Sequence, residues 1–390
     1  MHDDSAARAR YPRSVTLLVP GDLNMRTGGY GYDREIVTGL RALGWEVNVA
    51  SLDGSFPHPT ADARVQAARA LAALPDGALV LADGLAFGAM AAEAEREAHR
   101  LTLVGLVHHL LADETGLDDD AVRAFAASER RALASTRGVV VTSAATADRV
   151  TTYGVDAGRI SVVMPGTAPA PLARGTRGVT SSDAAVSVPG LAPVSSQAER
   201  AVLPVDLLCV ATLVPRKGHD VLIAALARLR HLPWHLTCAG SLVLHPPTAA
   251  ALRDRVRVSG LEDRVTFAGD LDAIRLARAY DHADVFVLPT RHEGYGMAVA
   301  EAVARGLPVV STATGAIADL VDASSGAIVP IDDVAALADA LEPLIADGAA
   351  LARVAAGARA RRDSLPRWSD SAQDMADALT RFAAYGIVQR

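Results

Sequence analysis

Of the 38 basic residues in this chain, 37 are arginine, and the single lysine, Lys217, stands in the loop Pro215-Arg216-Lys217-Gly218. An ammonium on a flexible stem is a compact point charge, unlike the planar fork of arginine. A pyridoxal-phosphate enzyme would have to use Lys217 as its Schiff-base amine. With Arg216 beside it in a Pro/Gly loop, the position suits a phosphate clamp better than a desolvated amine. Further on, Glu293-Gly294-Tyr295-Gly296-Met297 leads into a helical run that carries Glu301, so two carboxylates stand eight residues apart with glycines between them. Glycines let backbone N–H groups approach an anion such as a diphosphate. A carboxylate can accept two hydrogen bonds from the vicinal diol of a ribose or hexose. The spacing alone is common; the glycines, the apolar run Ala283–Thr290 before them and the Arg-Lys loop make it a pattern.

The first half has its own candidates. Thr27-Gly28-Gly29-Tyr30-Gly31 follows the apolar run Ser14–Pro20 and precedes a helical stretch, a setting for anion binding at a helix start. It is not the dinucleotide fingerprint, because the third glycine position is Arg34. A Walker loop is also absent, since Lys217 is followed by Gly218. His108 and His109 follow the apolar run Leu101–Val107, and Asp83-Gly84 closes the run Ala78–Asp83, which makes Asp83 a candidate acceptor contact. Neither a His-Glu-x-x-His motif nor a cysteine cluster accompanies the histidines, so zinc is not expected. Asp118-Asp119-Asp120 reads as a helix cap and not as a metal motif. No metal and no bound cofactor are therefore expected.

The elements that must position these residues alternate. Strand candidates are Ser14–Pro20, Glu46–Leu52, Ala78–Asp83, Leu101–His108, Gly138–Ser143 and Ile160–Pro165 in the first half. In the second they are Asp206–Thr212, His235–Ser241, Arg264–Asp270, Ala283–Thr290, Leu307–Thr312 and Gly326–Pro330. Runs such as LTLVGLV and DVFVL lack polar alternation, as expected of strands buried on both faces of a parallel sheet. Helical stretches lie between, among them Asp33–Leu43, Asp120–Ser135, Asp220–Leu229, Met297–Arg305 and Val334–Ile345. This predicts an α/β fold of two doubly wound, Rossmann-like domains with parallel sheets facing across a cleft. The expected boundaries are 1–168 for the first domain, 169–204 for a flexible Pro/Gly/Ser-rich connection, 205–367 for the second domain and 368–390 for a closing helix. Ligands of such sheets bind beyond the carboxyl ends of the strands, where every candidate above lies.

Composition excludes several classes. A net charge of −7 argues against a nucleic-acid partner. Two cysteines, Cys209 and Cys238, cannot build a disulfide scaffold, and both sit in apolar runs as buried thiols would. No apolar stretch is long enough to span a bilayer, and the polar N-terminus lacks the apolar region of a signal peptide, so a cytoplasmic protein is expected. Residues 1–170 hold 16 arginines and 21 acidic residues, a net of −5, which disfavours anionic membrane surfaces as partners.

Together the motifs resemble those of the family-four retaining glycosyltransferases of the GT-B fold, over nearly the whole chain. The matching residues are Gly28-Gly29, Pro215-Arg216-Lys217-Gly218-His219-Asp220 and the two glutamates of EGYGMAVAEA. Gly306-Leu307-Pro308-Val309-Val310 and Thr314-Gly315-Ala316 match as well. The resemblance implies a nucleotide-sugar donor held by the second domain and an acceptor held by the first. By it, Glu301 takes the ribose hydroxyls, Glu293 the sugar hydroxyls, and Lys217 with Arg216 the diphosphate. The turn Gly294, Tyr295, Gly296 and Met297 adds backbone contacts to the donor, Gly28 and Gly29 close on the diphosphate, and the last helix crosses back to the first domain. A histidine near the anomeric carbon maps best onto His108, with His109 as the fallback. One departure stands out: where the family has Gly-Arg a few residues before its lysine, this chain has Ala211-Thr212.

The expected reaction is transfer of a sugar, with retention and without a metal, from a nucleoside diphosphate to an acceptor, a soluble small molecule or saccharide. The alternatives are a sugar-nucleotide epimerase and a non-catalytic nucleotide-sugar-binding protein.

Overall fold

The computed structural model describes residues 13–178 and 203–385. Residues 179–202, the greater part of the expected connection, lie outside the described residues, as do 1–12 and 386–390. The chain forms two compact units. One runs to Gly166 and resumes at Pro366; the other spans Thr167–Leu365.

The first unit holds β1 (Ser14–Pro20), β2 (Glu46–Leu52), β3 (Leu79–Asp83), β4 (Thr102–Val107), β5 (Gly138–Val141) and β6 (Ile160–Val162). They form one parallel sheet in the order β2-β1-β3-β4-β5-β6. Every residue of β3 and β5 is buried, as the unbroken apolar runs predict for strands covered on both faces. The second unit holds β7 (Val205–Val210), β8 (Trp234–Ala239), β9 (Val265–Gly269), β10 (Val285–Leu288), β11 (Val309–Thr312) and β12 (Gly326–Val329). Its sheet, also parallel, has the order β12-β11-β10-β7-β8-β9. Chain order reverses between β1 and β3 in the first sheet and between β7 and β10 in the second. At such a switch point the two following loops diverge and leave a crevice for a ligand.

Two local details differ from the sequence reading. The helix expected over Asp33–Leu43 starts earlier, at Gly28, and runs to Ala42. Gly28 and Gly29 are thus its first turn and not a loop before it: the first turn makes no demand on side chains, and its amides have no partner within the helix. Eight of the twelve strands also end one to three residues short of the expected ends, because pairing stops where the chain turns away at the carboxyl edge; β1, β2, β3 and β11 end as expected.

The final helix, Trp368–Tyr385, packs within the first unit. A Cβ on Gly39 would collide with that of Ala372, so a glycine at that point lets the two helices approach closely. Ser371 Oγ donates to the Met164 carbonyl at 2.7 Å. Cys209 and Cys238 are buried and free, directly opposite one another on β7 and β8.

Gly218 joins β7's loop to the helix His219–Arg228 with φ +68°. A Cβ there would strike the Pro289 carbonyl oxygen after β10. Gly218→Ala is expected to cost ~2 kcal/mol or more, from left-handed strain and the collision together. Thermal melting checks this; an unchanged melting temperature would mean the loop tolerates displacement.

Candidate active site

In the second unit the sequence-predicted residues meet at the switch point. Lys217 ends the loop that follows β7, and Glu293 lies in the loop that follows β10. Strands β7 and β10 are neighbours, so the two loops stand side by side, and Lys217 Nζ donates to Glu293 Oε1. Both side chains are mostly buried, at 16% and 12% exposure, which keeps water from screening the pair. Arg216 Nη1 donates to the His292 carbonyl at 2.9 Å, and the Arg291 amide donates back to the Arg216 carbonyl at 2.7 Å. The adjacent cationic loop is therefore stitched to the glutamate loop through backbone as well as side chain.

Sequence reasoning missed the residue that braces this pairing. Arg291 reaches both carboxylate oxygens of Asp220, at 3.0 and 2.8 Å, and Asp332 at 2.7 Å, and it also donates to the Pro215 carbonyl. Asp220 stood in the motif after Lys217, but nothing in sequence spacing pairs it with an arginine 71 residues away.

The turn between the two glutamates is built as expected for backbone approach. Gly296 adopts φ +98° and begins the helix Met297–Ala304, whose first amides lack partners within the helix. The Tyr295 side chain lies in the core, and Met297 packs partly against it. A Cβ on Gly315 would collide with the Glu293 and Gly294 carbonyl oxygens, so the Thr314-Gly315 turn seats directly against this loop. Glu301, on the same helix, accepts a hydrogen bond from the Tyr280 hydroxyl at 3.0 Å. Burial raises the Glu301 carboxyl above its usual range, partly opposed by that bond and by Arg305. Arg305 in turn lies over the Tyr280 ring, 4.3 Å from its centre.

The first unit gathers a second group at its own switch point. His108 follows β4, Asp83 closes β3, and Gly28, Gly29 and Asp33 belong to the helix after β1. His108 Nε2 lies 3.3 Å from Asp33 Oδ1 and 3.5 Å from Asp83 Oδ2. One nitrogen or oxygen atom from each of the three side chains falls within 4.8 Å of the other two. Despite its burial, the hydrogen bonds to Asp33 and Asp83 raise the His108 pKa, while burial raises that of Asp33. Gly29 faces the same ring: a Cβ there would sit 3.4 Å from its Cδ2. Tyr32 packs its ring edgewise on His108 at 5.2 Å. His109 is turned elsewhere, its Nε2 3.5 Å from Glu114 Oε2. Asp83 is buried, its other oxygen accepting from the Leu85 amide at 2.7 Å.

Asp33 was not legible as a site residue; a lone aspartate inside a helix reads as surface charge. Two more positioning groups were missed. Arg34, which breaks the dinucleotide motif, donates to the Leu23 and Met25 carbonyls at 2.6 and 2.9 Å and so holds the loop before Gly28. Glu129 accepts from the Leu111 and Ala112 amides at 2.6 and 3.2 Å and fixes the loop after His109. The Asp118-Asp119-Asp120 run is a cap as expected, Asp118 accepting from the Ala121 amide at 2.8 Å.

Comparison with known proteins adds to this geometry. The family model for Glycosyltransferase Family 4 matches residues 32–170, and that for Glycosyl transferases group 1 matches residues 204–347. A D-inositol 3-phosphate glycosyltransferase of Xylanimonas cellulosilytica is 35% identical over 246 residues, 60% of this chain and 54% of that protein. The lipopolysaccharide core biosynthesis mannosyltransferase LpsB of Rhizobium meliloti is 34% identical over 161 residues, 39% of this chain and 45% of that protein. The chain spans about half the length of the curated relatives it matches. Among solved structures, a sucrose-phosphate synthase from Thermosynechococcus elongatus superposes with TM-score 0.76 at 22% identity, over 95% of this chain and 99% of that one. HepE from Anabaena, in complex with UDP and glucose, superposes with TM-score 0.68 at 17% identity, over 94% of this chain and 98% of that one. With a Glycosyltransferase Family 4 match over one parallel six-stranded sheet and a Glycosyl transferases group 1 match over the other, each with charged groups at its switch point, the chain carries two glycosyltransferase domains in a GT-B fold.

Proposed function

We propose that this protein transfers a sugar from a nucleoside-diphosphate sugar to an acceptor hydroxyl on a soluble small molecule or saccharide. The observation that carries the reading is the Lys217–Glu293 pair at the β7/β10 switch point, with Glu301 two turns along the helix that follows. In the free protein the ammonium and carboxylate neutralise each other. A donor would separate them, the ammonium turning to the diphosphate and the carboxylate to sugar hydroxyls. Because the leaving group is a diphosphate, catalysis consists mainly of holding its developing charge. Lys217, Arg216 and the amides of the Gly294–Met297 turn are the groups for that work, and in this reading the reaction needs no metal. Glu301 takes the ribose hydroxyls. Retention of anomeric configuration and a cytoplasmic location belong to the same proposal.

Relatives named as inositol-phosphate glycosyltransferases and mannosyltransferases support a hydroxyl acceptor, and neighbours solved with UDP and glucose or with UDP-glucose support a nucleotide donor. Among the described residues no helix is long and apolar enough to cross a membrane.

The test is a thermal-shift panel of nucleoside diphosphates and their sugars. A ligand at a hundred times its dissociation constant adds about 2.7 kcal/mol of stability. One nucleotide series is expected to raise the melting temperature, and turnover of its sugar with a hydroxyl acceptor should follow. No shift with any nucleotide would overturn the reading. Donor epimerisation without acceptor would replace it with the epimerase, and binding without turnover on any acceptor with a sugar-nucleotide binder.

A further inference from the structure

Nothing in the matching motifs includes Asp33, yet it is completely buried and in contact with His108. We propose that Asp33 and Asp83 are positioning residues that grip His108 by its Nε2–H, so that the ring presents only its Nδ1 edge to a ligand and does so as an imidazolium. The inference deepens the transferase reading only in its kinetic consequence; the grip itself stands apart from it.

Three observations carry it. First, both carboxylates approach one and the same nitrogen, at 3.3 and 3.5 Å, and carboxylates this close repel a bare lone pair. A proton must therefore lie on this contact, and in the proposed state it sits on Nε2. Second, Asp33 Oδ2 is buried with no hydrogen-bond partner among the described residues. A buried carboxylate in that state is costly unless a positive charge lies beside it, and His108 is the cation its geometry supplies. Third, the ring cannot swing away. Tyr32 stands edgewise against it, itself held by its hydroxyl on the Val163 carbonyl at 3.0 Å, and Gly29 lies against the Cδ2 edge. Asp83 is held in place by the Leu85 amide.

The groups that face the imidazole from every side are thus Asp33 and Tyr32 from the helix Gly28–Ala42 and Asp83 from the end of β3. Tyr30, whose hydroxyl donates to the Pro20 carbonyl at 2.6 Å, senses the same two carboxylates. Both acids favour the charged ring. An imidazolium so held is a donor at Nδ1 and not a general base. It would bind a hydroxyl or phosphate oxygen of the substrate without taking its proton.

The test is nitrogen-15 NMR of imidazole-labelled protein, with the His108 signals assigned by their loss in His108→Gln. In the wild type, His108 should remain doubly protonated to about pH 8 or above, against an ordinary midpoint near 6.5. Asp33→Asn should lower that midpoint by about one unit or more, and Asp83→Asn likewise; the latter keeps an oxygen for the Leu85 amide and serves if Asp33→Asn does not fold. In kinetics, Asp33→Asn should lower kcat by about tenfold or more with a smaller change in donor KM, and shift the basic limb of the pH profile with the NMR midpoint. Asp33→Glu should restore part of the loss. An ordinary wild-type midpoint would overturn the proposal. So would a shifted midpoint with unchanged kcat, which would leave Asp33 a merely structural group. Stoichiometric binding of added Zn²⁺ or Mn²⁺ that removes the Nε2 proton signal would overturn it too, in favour of a cation site. Failure to find any sugar donor would leave the NMR result standing and fall on the transferase reading alone.

Discussion

Lys217→Ala is expected to lower kcat by roughly two orders of magnitude or more, as the loss of one charged contact to a developing oxyanion does. The chain has no second lysine to take its place. Arg216 is a poor substitute because the bond from its Nη1 to the His292 carbonyl holds the fork in its own place, where it supplies its own share of the charge and not that of Lys217. Lys217→Arg should rescue little: a planar fork does not occupy the place of a point charge in a loop this closely braced. The substitution also removes the Lys217 ammonium from beside Glu293, which is only 12% exposed. The free protein should therefore lose some stability, so a melting curve must accompany the kinetics. Folded protein with a greatly reduced kcat and little change in donor KM would place Lys217 on the transition state. Near-normal turnover in a folded variant would remove the diphosphate clamp from the proposed mechanism.

The second large effect is at Glu301. In Glu301→Ala, nucleotide stabilisation seen in the wild type should nearly vanish. Two charge-assisted hydrogen bonds to a diol are together worth ~3 kcal/mol or more, which weakens binding by about a hundredfold or more. At a nucleotide concentration that gave the wild type about 2.7 kcal/mol, a site a hundred times weaker gains only ~0.4 kcal/mol. The free variant needs its own control, because Tyr280 keeps only the Ala298 carbonyl at 3.2 Å and loses the closer of its two acceptors. Glu301→Gln keeps that acceptor and separates the two effects: it should melt close to the wild type and still bind nucleotide poorly. Retained stabilisation in both variants would move the ribose contact elsewhere.

Much of the molecule was readable from residue order. The inner strands β3, β5 and β10 lie where unbroken apolar runs stand, since strands covered on both faces have no reason to alternate, while the edge strand β2 carries polar residues among its apolar ones. The Lys217 loop and the Glu293–Glu301 helix were readable too, because glycines at a helix start and a lysine that is unique in its chain are local facts. Less was readable where function depends on partners distant in sequence. Asp33 and Arg291 carry no local mark, and each matters through residues on other elements. Asp83 was read as a contact for an acceptor; that its carboxylate also lies against His108 and the Leu85 amide was not legible in the sequence.

The sequence by itself determined the class of fold and the chemical types at the ends of the strands: a lysine after β7, two glutamates around a glycine turn after β10, a histidine after β4. Periodicity and composition are properties of neighbours along the chain, and a parallel α/β unit is specified by them. Tertiary structure alone decided which of these groups meet. The strand orders β1-β3-β4 and β11-β10-β7 bring the ends of β1, β3 and β4 side by side and β7 beside β10, and so pair His108 with two buried acids and Lys217 with Glu293. Contacts of that kind follow from the crossing of the chain at a switch point, where loops far apart in sequence share one crevice and exclude the water that would otherwise separate their charges.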